Sequence, residues 1–100
     1  MIKYNAYHVA PAELEAVLLS HPAVADAAVI ASLDERSGEV PKAFVVLSSP
    51  ASADELLRFV ADRVAPYKKV RIVEIIDEIP KSASGKILRK DLRARENEKA

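Results

Sequence analysis

Six prolines limit how this chain can fold, because none fits the interior of a helix or the middle of a sheet without cost. Four of them punctuate the pattern around them. Pro11 stands where the first turn of a helix tolerates proline, Pro22 stops that helix, Pro66 closes a second one and Pro80 ends a strand. The elements between them must be short. From Pro11 to Pro22, Leu14, Val17 and Leu18 recur at helical spacing, which predicts an amphipathic helix over about residues 11–20. Residues 24–32 are small and β-branched, residues 34–38 carry turn chemistry and residues 42–47 are apolar again, which reads as two paired strands. Ser52 and Glu55 make a capping box ahead of the stripe Leu56, Phe59, Val60 and Val64.

Residues 70–76 read as a third strand, covered on both faces because alternation is poor beyond Val73. Residues 81–85 are loop by composition, and Ile87, Leu88 and Leu92 mark a last short helix before a charged tail expected to fray. Residues 2–9 look extended, with a hairpin of their own around Asn5-Ala6. This order predicts an α+β fold: a small central β-sheet of about three strands, flanking helices and a short N-terminal hairpin.

One hundred residues suit a single domain, and 15 basic residues balance 15 acidic ones, so no global field draws the chain to nucleic acid or an anionic membrane. The absence of cysteine removes disulfides and thiol chemistry, and His8 and His21 lack ligand spacing, so no metal site is expected. Each histidine reads as a surface or cap residue. No apolar run reaches the roughly 18 residues that span a bilayer, and no signal peptide is evident, so the chain reads as cytoplasmic and without membrane insertion. It opens on a strand directly after Met1, as a domain cut from a longer chain would.

The sharpest chemical signal is Pro80-Lys81-Ser82-Ala83-Ser84-Gly85-Lys86. A loop with one glycine before a lysine can face an anion with backbone N–H groups and an ammonium, but Pro80 and Ile87 stand where a Walker loop needs glycine and Ser or Thr. The alternative is an ordinary connection with a solvated lysine. The run Lys86, Arg89, Lys90, Arg93 and Arg95 lacks interleaved aromatics and reads as a solvated helix face. Asp34, Glu35 and Glu39 flank a polar turn, where solvent is their expected partner.

Four segments together resemble the C-terminal domain of the adenylate-forming enzymes, the acyl-CoA synthetases and 4-coumarate-CoA ligases among them. They are the stretch from Ile2 to Glu15, His21-Pro22-Ala23-Val24 with Asp26-Ala27-Ala28-Val29, the stretch from Gly38 to Val46, and the stretch from Ile79 to Arg93. The last, Pro-Lys-Ser-x-Ser-Gly-Lys-Ile-Leu-Arg-Lys, is more similar to the CoA ligases than to the non-ribosomal adenylation domains. A 4-coumarate-ligase-like or fatty-acyl-ligase-like parent is favoured.

The resemblance implies a reaction in two steps: a carboxylic acid and ATP give acyl-AMP, with Mg2+ accompanying the nucleotide, and CoA then displaces AMP. It implies a mobile domain, residues 1–100, that works with a large N-terminal adenylation domain and is inactive alone. By motif match Lys86 is the adenylation lysine, carried by the supporting loop residues Ser84 and Gly85, while Lys3 and His8 fall near the nucleotide. Tyr4, Asn5, Ala6 and Tyr7 correspond to the loop on the CoA side. The competing reading is a stand-alone binding or regulatory module that kept the fold without catalysis. Two residues depart from the family pattern: His8 stands for a glutamine, and Ala6 for a glycine that would supply positive φ or close backbone approach. Ala6→Gly in the full enzyme is therefore expected to change the rate of thioester formation from supplied acyl-AMP and leave pyrophosphate exchange nearly unaltered; an equal effect on both half-reactions, or none on thioester formation, would remove the CoA-side assignment.

Overall fold

The computed structural model describes residues 2–4, 7–34 and 38–99, and of residues 2–4, 7, 8, 33, 34, 67 and 96–99 the backbone alone. The strands β1 (Ile2–Tyr4) and β2 (Tyr7–Val9) are followed by helix α1 (Pro11–Leu19), the long strands β3 (Val24–Asp34) and β4 (Gly38–Leu47) and helix α2 (Ala53–Ala61). A single 3-10 turn (Pro66–Lys68), strand β5 (Ile72–Ile75) and helix α3 (Arg89–Lys99) complete the chain. The result is an α+β fold.

Antiparallel β3 and β4 form the backbone of the sheet, in register from Asp26 opposite Val46 to Asp34 opposite Gly38. β5 adds in parallel on the far side of β4, with Lys42 opposite Ile72. The expected N-terminal hairpin is present, Ile2 opposite Val9, but it is not separate: Tyr4 pairs with Gly38, so the hairpin extends the sheet to five strands. Gly38 has φ +85, a conformation open to glycine at the point where β4 begins.

The alternating pleat divides the apolar residues between two cores. On one face Ala27, Val29, Ala43 and Val45 pack with Leu14 and Leu18 of α1 and Leu56 and Val60 of α2. On the other, Ala28, Ile30 and Phe44 meet Ile76, Ile79 and Leu92 of α3. The sheet is covered on both sides.

α1 begins at Pro11 as expected, and Leu14, Glu15 and Leu18 form its buried side. α2 is capped by Ser52, whose Oγ accepts from Glu55 N at 3.1 Å. Glu55 does not return the bond to complete the box. Its Oε2 lies 2.9 Å from His21 Nε2 instead. α2 ends at Ala61, before the predicted Pro66, which opens the 3-10 turn.

Three local expectations are corrected. β5 is not fully covered, for Ile72 and Ile75 keep 40% and 45% of their surface, and among the described residues it pairs with β4 alone. Poor alternation marks an edge here. α3 starts at Arg89, two residues beyond Ile87, and its backbone stays helical through the charged tail to Lys99. His21 is 8% exposed: Nδ1 accepts from Ala23 N at 3.0 Å, so the proton sits on Nε2, and the ring meets Phe59 edge-on at 4.7 Å.

Phe44 is fully buried between β3, α3 and the segment after β5. Phe44→Ala is expected to cost about 3–5 kcal/mol, read as a lower midpoint in urea unfolding, because the sheet cannot collapse into the space left behind.

Candidate functional site

The segment after β5 turns back on itself as a small hairpin. Lys81 and Ile87 form a β-bridge, Ser82 N donates to Lys86 O at 2.9 Å, and Leu88 N donates to Pro80 O at 2.9 Å. Gly85 N donates to Ser82 O at 2.9 Å, with Gly85 at φ +84. This is the bonding of a three-residue loop closed by a glycine bulge. Ser82 Oγ stiffens it further, accepting from Lys86 N at 3.3 Å and sharing a 2.9 Å bond with Ser84 Oγ. What reads from composition as an open loop is thus a hydrogen-bonded turn. Lys86 follows the bulge and is exposed, and its ammonium forms no ion pair with a described residue.

Both legs of this turn hang on the outer edge of β3. Lys81 Nζ lies 2.5 Å from Asp26 Oδ2 at the start of the strand. On the other leg, Arg89 Nη2 donates to Glu15 Oε1 and Oε2 at 2.8 and 2.6 Å, and Arg89 Nε to Val29 O at 3.2 Å. Glu15 is 7% exposed, and its Oε2 also accepts from Val29 N at 2.8 Å. The guanidinium sits at the positive end of α3, where a cation is disfavoured, and the Glu15 carboxylate offsets that.

Two residues of this arrangement are missed by the sequence pattern. Arg89 is read there as part of a solvated basic face, and Glu15 is given no role. The signal is nonetheless present, since Glu15 shares the helical side of Leu14 and Leu18, and an acid on a buried side needs a cation. Of the same basic run, Arg95 Nε lies 3.4 Å from Glu74 Oε2, while Lys90 and Arg93 are exposed as expected.

Lys3 stands opposite His8 in the β1–β2 register, and Tyr4 opposite Tyr7; Asn5 and Ala6 lie outside the described residues. The hairpin joins the sheet at Gly38, opposite Asp34, at the far end of β3 from Asp26. At about 3.3 Å per residue, Asp34 lies roughly 25 Å along the strand from Asp26, which holds Lys81, and roughly 15 Å from Val29, which holds Arg89. Nothing in the described residues brings Lys3 or His8 to Lys86. No three or more His, Cys, Asp or Glu side chains converge among the described residues as a metal would require. No helix is long and apolar enough to cross a membrane.

Against known proteins, residues 13–86 match the model of the AMP-binding enzyme C-terminal domain. The chain belongs to that family. It is 59% identical over 95 residues to a 4-coumarate–CoA ligase of Pinus taeda, covering 95% of this chain and 18% of the relative. Among solved structures, a fatty acyl CoA synthetase of Mycobacterium tuberculosis superposes with a TM-score of 0.90 at 35% identity, over 95% of this chain and 19% of that one. The o-succinylbenzoate CoA synthetase of Bacillus subtilis, solved with its acyl-adenylate intermediate, gives a TM-score of 0.87 at 43% identity, over 92% and 19%. The chain thus spans about a fifth of the length of these acid–thiol ligases, in which the domain follows a larger N-terminal portion.

A Cβ on Gly85 would meet nothing within 4 Å, so substitution there is limited by backbone conformation alone. Gly85→Ala is expected to cost about 1–2 kcal/mol and Gly85→Asn less, because asparagine tolerates positive φ. Paired chemical denaturation of the two variants checks the order.

Proposed function

We propose that this domain serves an ATP-dependent acyl-CoA ligase, with Lys86 as the cation of its adenylation step. The observation that carries the reading is the contrast along one turn: Lys81 and Arg89 are neutralised by carboxylates at its base, while Lys86 projects from it without an ion pair to a described residue. An exposed ammonium on a tied-down turn can be presented to an external anion.

In the proposed reaction an oxygen of the substrate carboxylate attacks the α-phosphorus of ATP, the bond to the β-phosphate bridging oxygen breaks, and pyrophosphate leaves. Charge crowds where the carboxylate and the α-phosphate oxygens meet, and a cation held there stabilises the transition state more than the separated reactants. The CoA thiol then attacks the acyl carbon and AMP departs. Magnesium belongs with ATP as substrate; the described residues hold no group built for it.

The separation of the Lys86 turn from the β1–β2 hairpin supports a division of labour between the two steps. With the legs of the Lys86 turn held at Asp26 and Val29 and the hairpin joined at the level of Asp34, one rotation of the domain against a larger partner would bring one forward and withdraw the other. The partner would hold most contacts to ATP and to an acid of the 4-coumarate or fatty-acid kind. Such an enzyme fits the cytoplasm, where ATP and CoA are supplied. The stand-alone module is not favoured, given the family and the ligases it resembles.

Lys86→Ala in the full-length ligase is expected to slow pyrophosphate exchange by about a hundredfold or more, the size of one lost contact to developing charge. Thioester formation from supplied acyl-AMP and CoA should persist. Lys86→Arg should also be slow in the first step, because a planar fork does not replace a compact ammonium. Loss of both steps together would assign Lys86 to folding or docking instead.

A further inference from the structure

β3 is an edge strand, paired only with β4 among the described residues, so alternate residues turn their N–H and C=O groups outward with no strand to receive them. Ala27 and Val29 are such residues. Ala27 N donates to Asp26 Oδ1 at 2.9 Å, Val29 N to Glu15 Oε2 at 2.8 Å, and Val29 O accepts from Arg89 Nε at 3.2 Å. The same Asp26 holds Lys81, and the same Glu15 holds Arg89. Side chains that satisfy the open edge of the sheet are therefore the ones that fasten both legs of the Lys86 turn.

From this geometry we infer that Glu15 and Arg89 are positioning residues for adenylation: they act through Lys86, fixing where its ammonium can be presented, and touch no substrate themselves. The inference rests on the reading of Lys86 given above. Arg89 is three residues beyond Lys86, and Leu88, between them, is bonded back to Pro80, so displacement of Arg89 moves the turn as a unit. Arginine is required at this place because Nη2 engages the carboxylate while Nε reaches a carbonyl on the neighbouring strand, two separated donors on one rigid plane. Lysine offers a single nitrogen. Lys81 and Asp26 form the second, more exposed anchor, whose loss should matter less.

The test uses the full-length ligase with Glu15→Gln, Arg89→Lys, Lys81→Ala and, as a control on the catalytic reading, Lys86→Ala. Glu15→Gln and Arg89→Lys are expected to lower kcat for adenylation about tenfold or more, as misplacing a catalytic group does, with the KM for ATP and the thioester step within about twofold. Hydrogen exchange of peptides covering residues 80–88 should quicken in both variants while peptides of β4 stay protected. Glu15→Gln keeps an acceptor for Val29 N–H, so it separates positioning from loss of the fold. A proportional fall in both half-reactions, or unchanged exchange of residues 80–88, overturns the inference. If Lys86→Ala leaves adenylation intact, the catalytic reading falls and takes the positioning role with it, whatever the exchange shows. If Lys86→Ala slows adenylation but neither Glu15→Gln nor Arg89→Lys does, the catalytic reading stands and the positioning role alone is wrong.

Discussion

A carboxylate and a guanidinium that meet at the rim of a sheet organise this domain. Glu15 and Arg89, 74 residues apart in sequence, belong to different helices, and both bind the backbone of one residue, Val29, between them. Burying a charge is expensive unless it is paired and hydrogen-bonded, and here each carboxylate oxygen of Glu15 has a donor. The Arg89 side chain keeps 31% of its surface, so the pair is part-buried and solvent moderates the cost of weakening it. α1, β3 and the start of α3 are thereby held as one body.

The middle of α3 is secured in a related way. Lys42, on β4 and only 6% exposed, lies 3.2 Å from Glu74 Oε1 on β5, and Arg95 reaches the other oxygen of the same carboxylate. The Lys42 ammonium also stands 4.9 Å from the centre of the Phe44 ring. Arg89, Leu92 and Arg95 recur every three residues, so one side of α3 delivers an ion pair, an apolar plug and a second ion pair to the sheet. The charges that make the sequence of this helix look solvated are what hold it in place.

Much of the architecture is legible in local pattern. Pro11, the Ser52 cap and the stripe of α2 declare themselves within a few residues, and so does Gly85, the residue that can close the turn before Lys86. What escapes is everything settled by distant partners. Neither the inward turn of Arg89, nor the bond that draws Glu55 away from its own helix to His21, nor the exposure of Ile72 and Ile75 on an edge leaves a mark on neighbouring residues. The resemblance of the last segment points to Lys86, but motif matching does not say that its turn is fastened to a strand edge.

The parallel pairing of β5 with β4 bears on the order of assembly. β3 and β4 are adjacent in sequence and pair along most of their length, whereas β5 must cross over by way of α2 to lie beside β4 with four residues. Loop closure makes such non-local contacts slower to form than a neighbouring hairpin. The short strand, the turn and α3 can dock only on a sheet that already exists. Until then the acid of α1 waits beside a bare strand rim, so the segment bearing Lys86 is also the one that completes the fold.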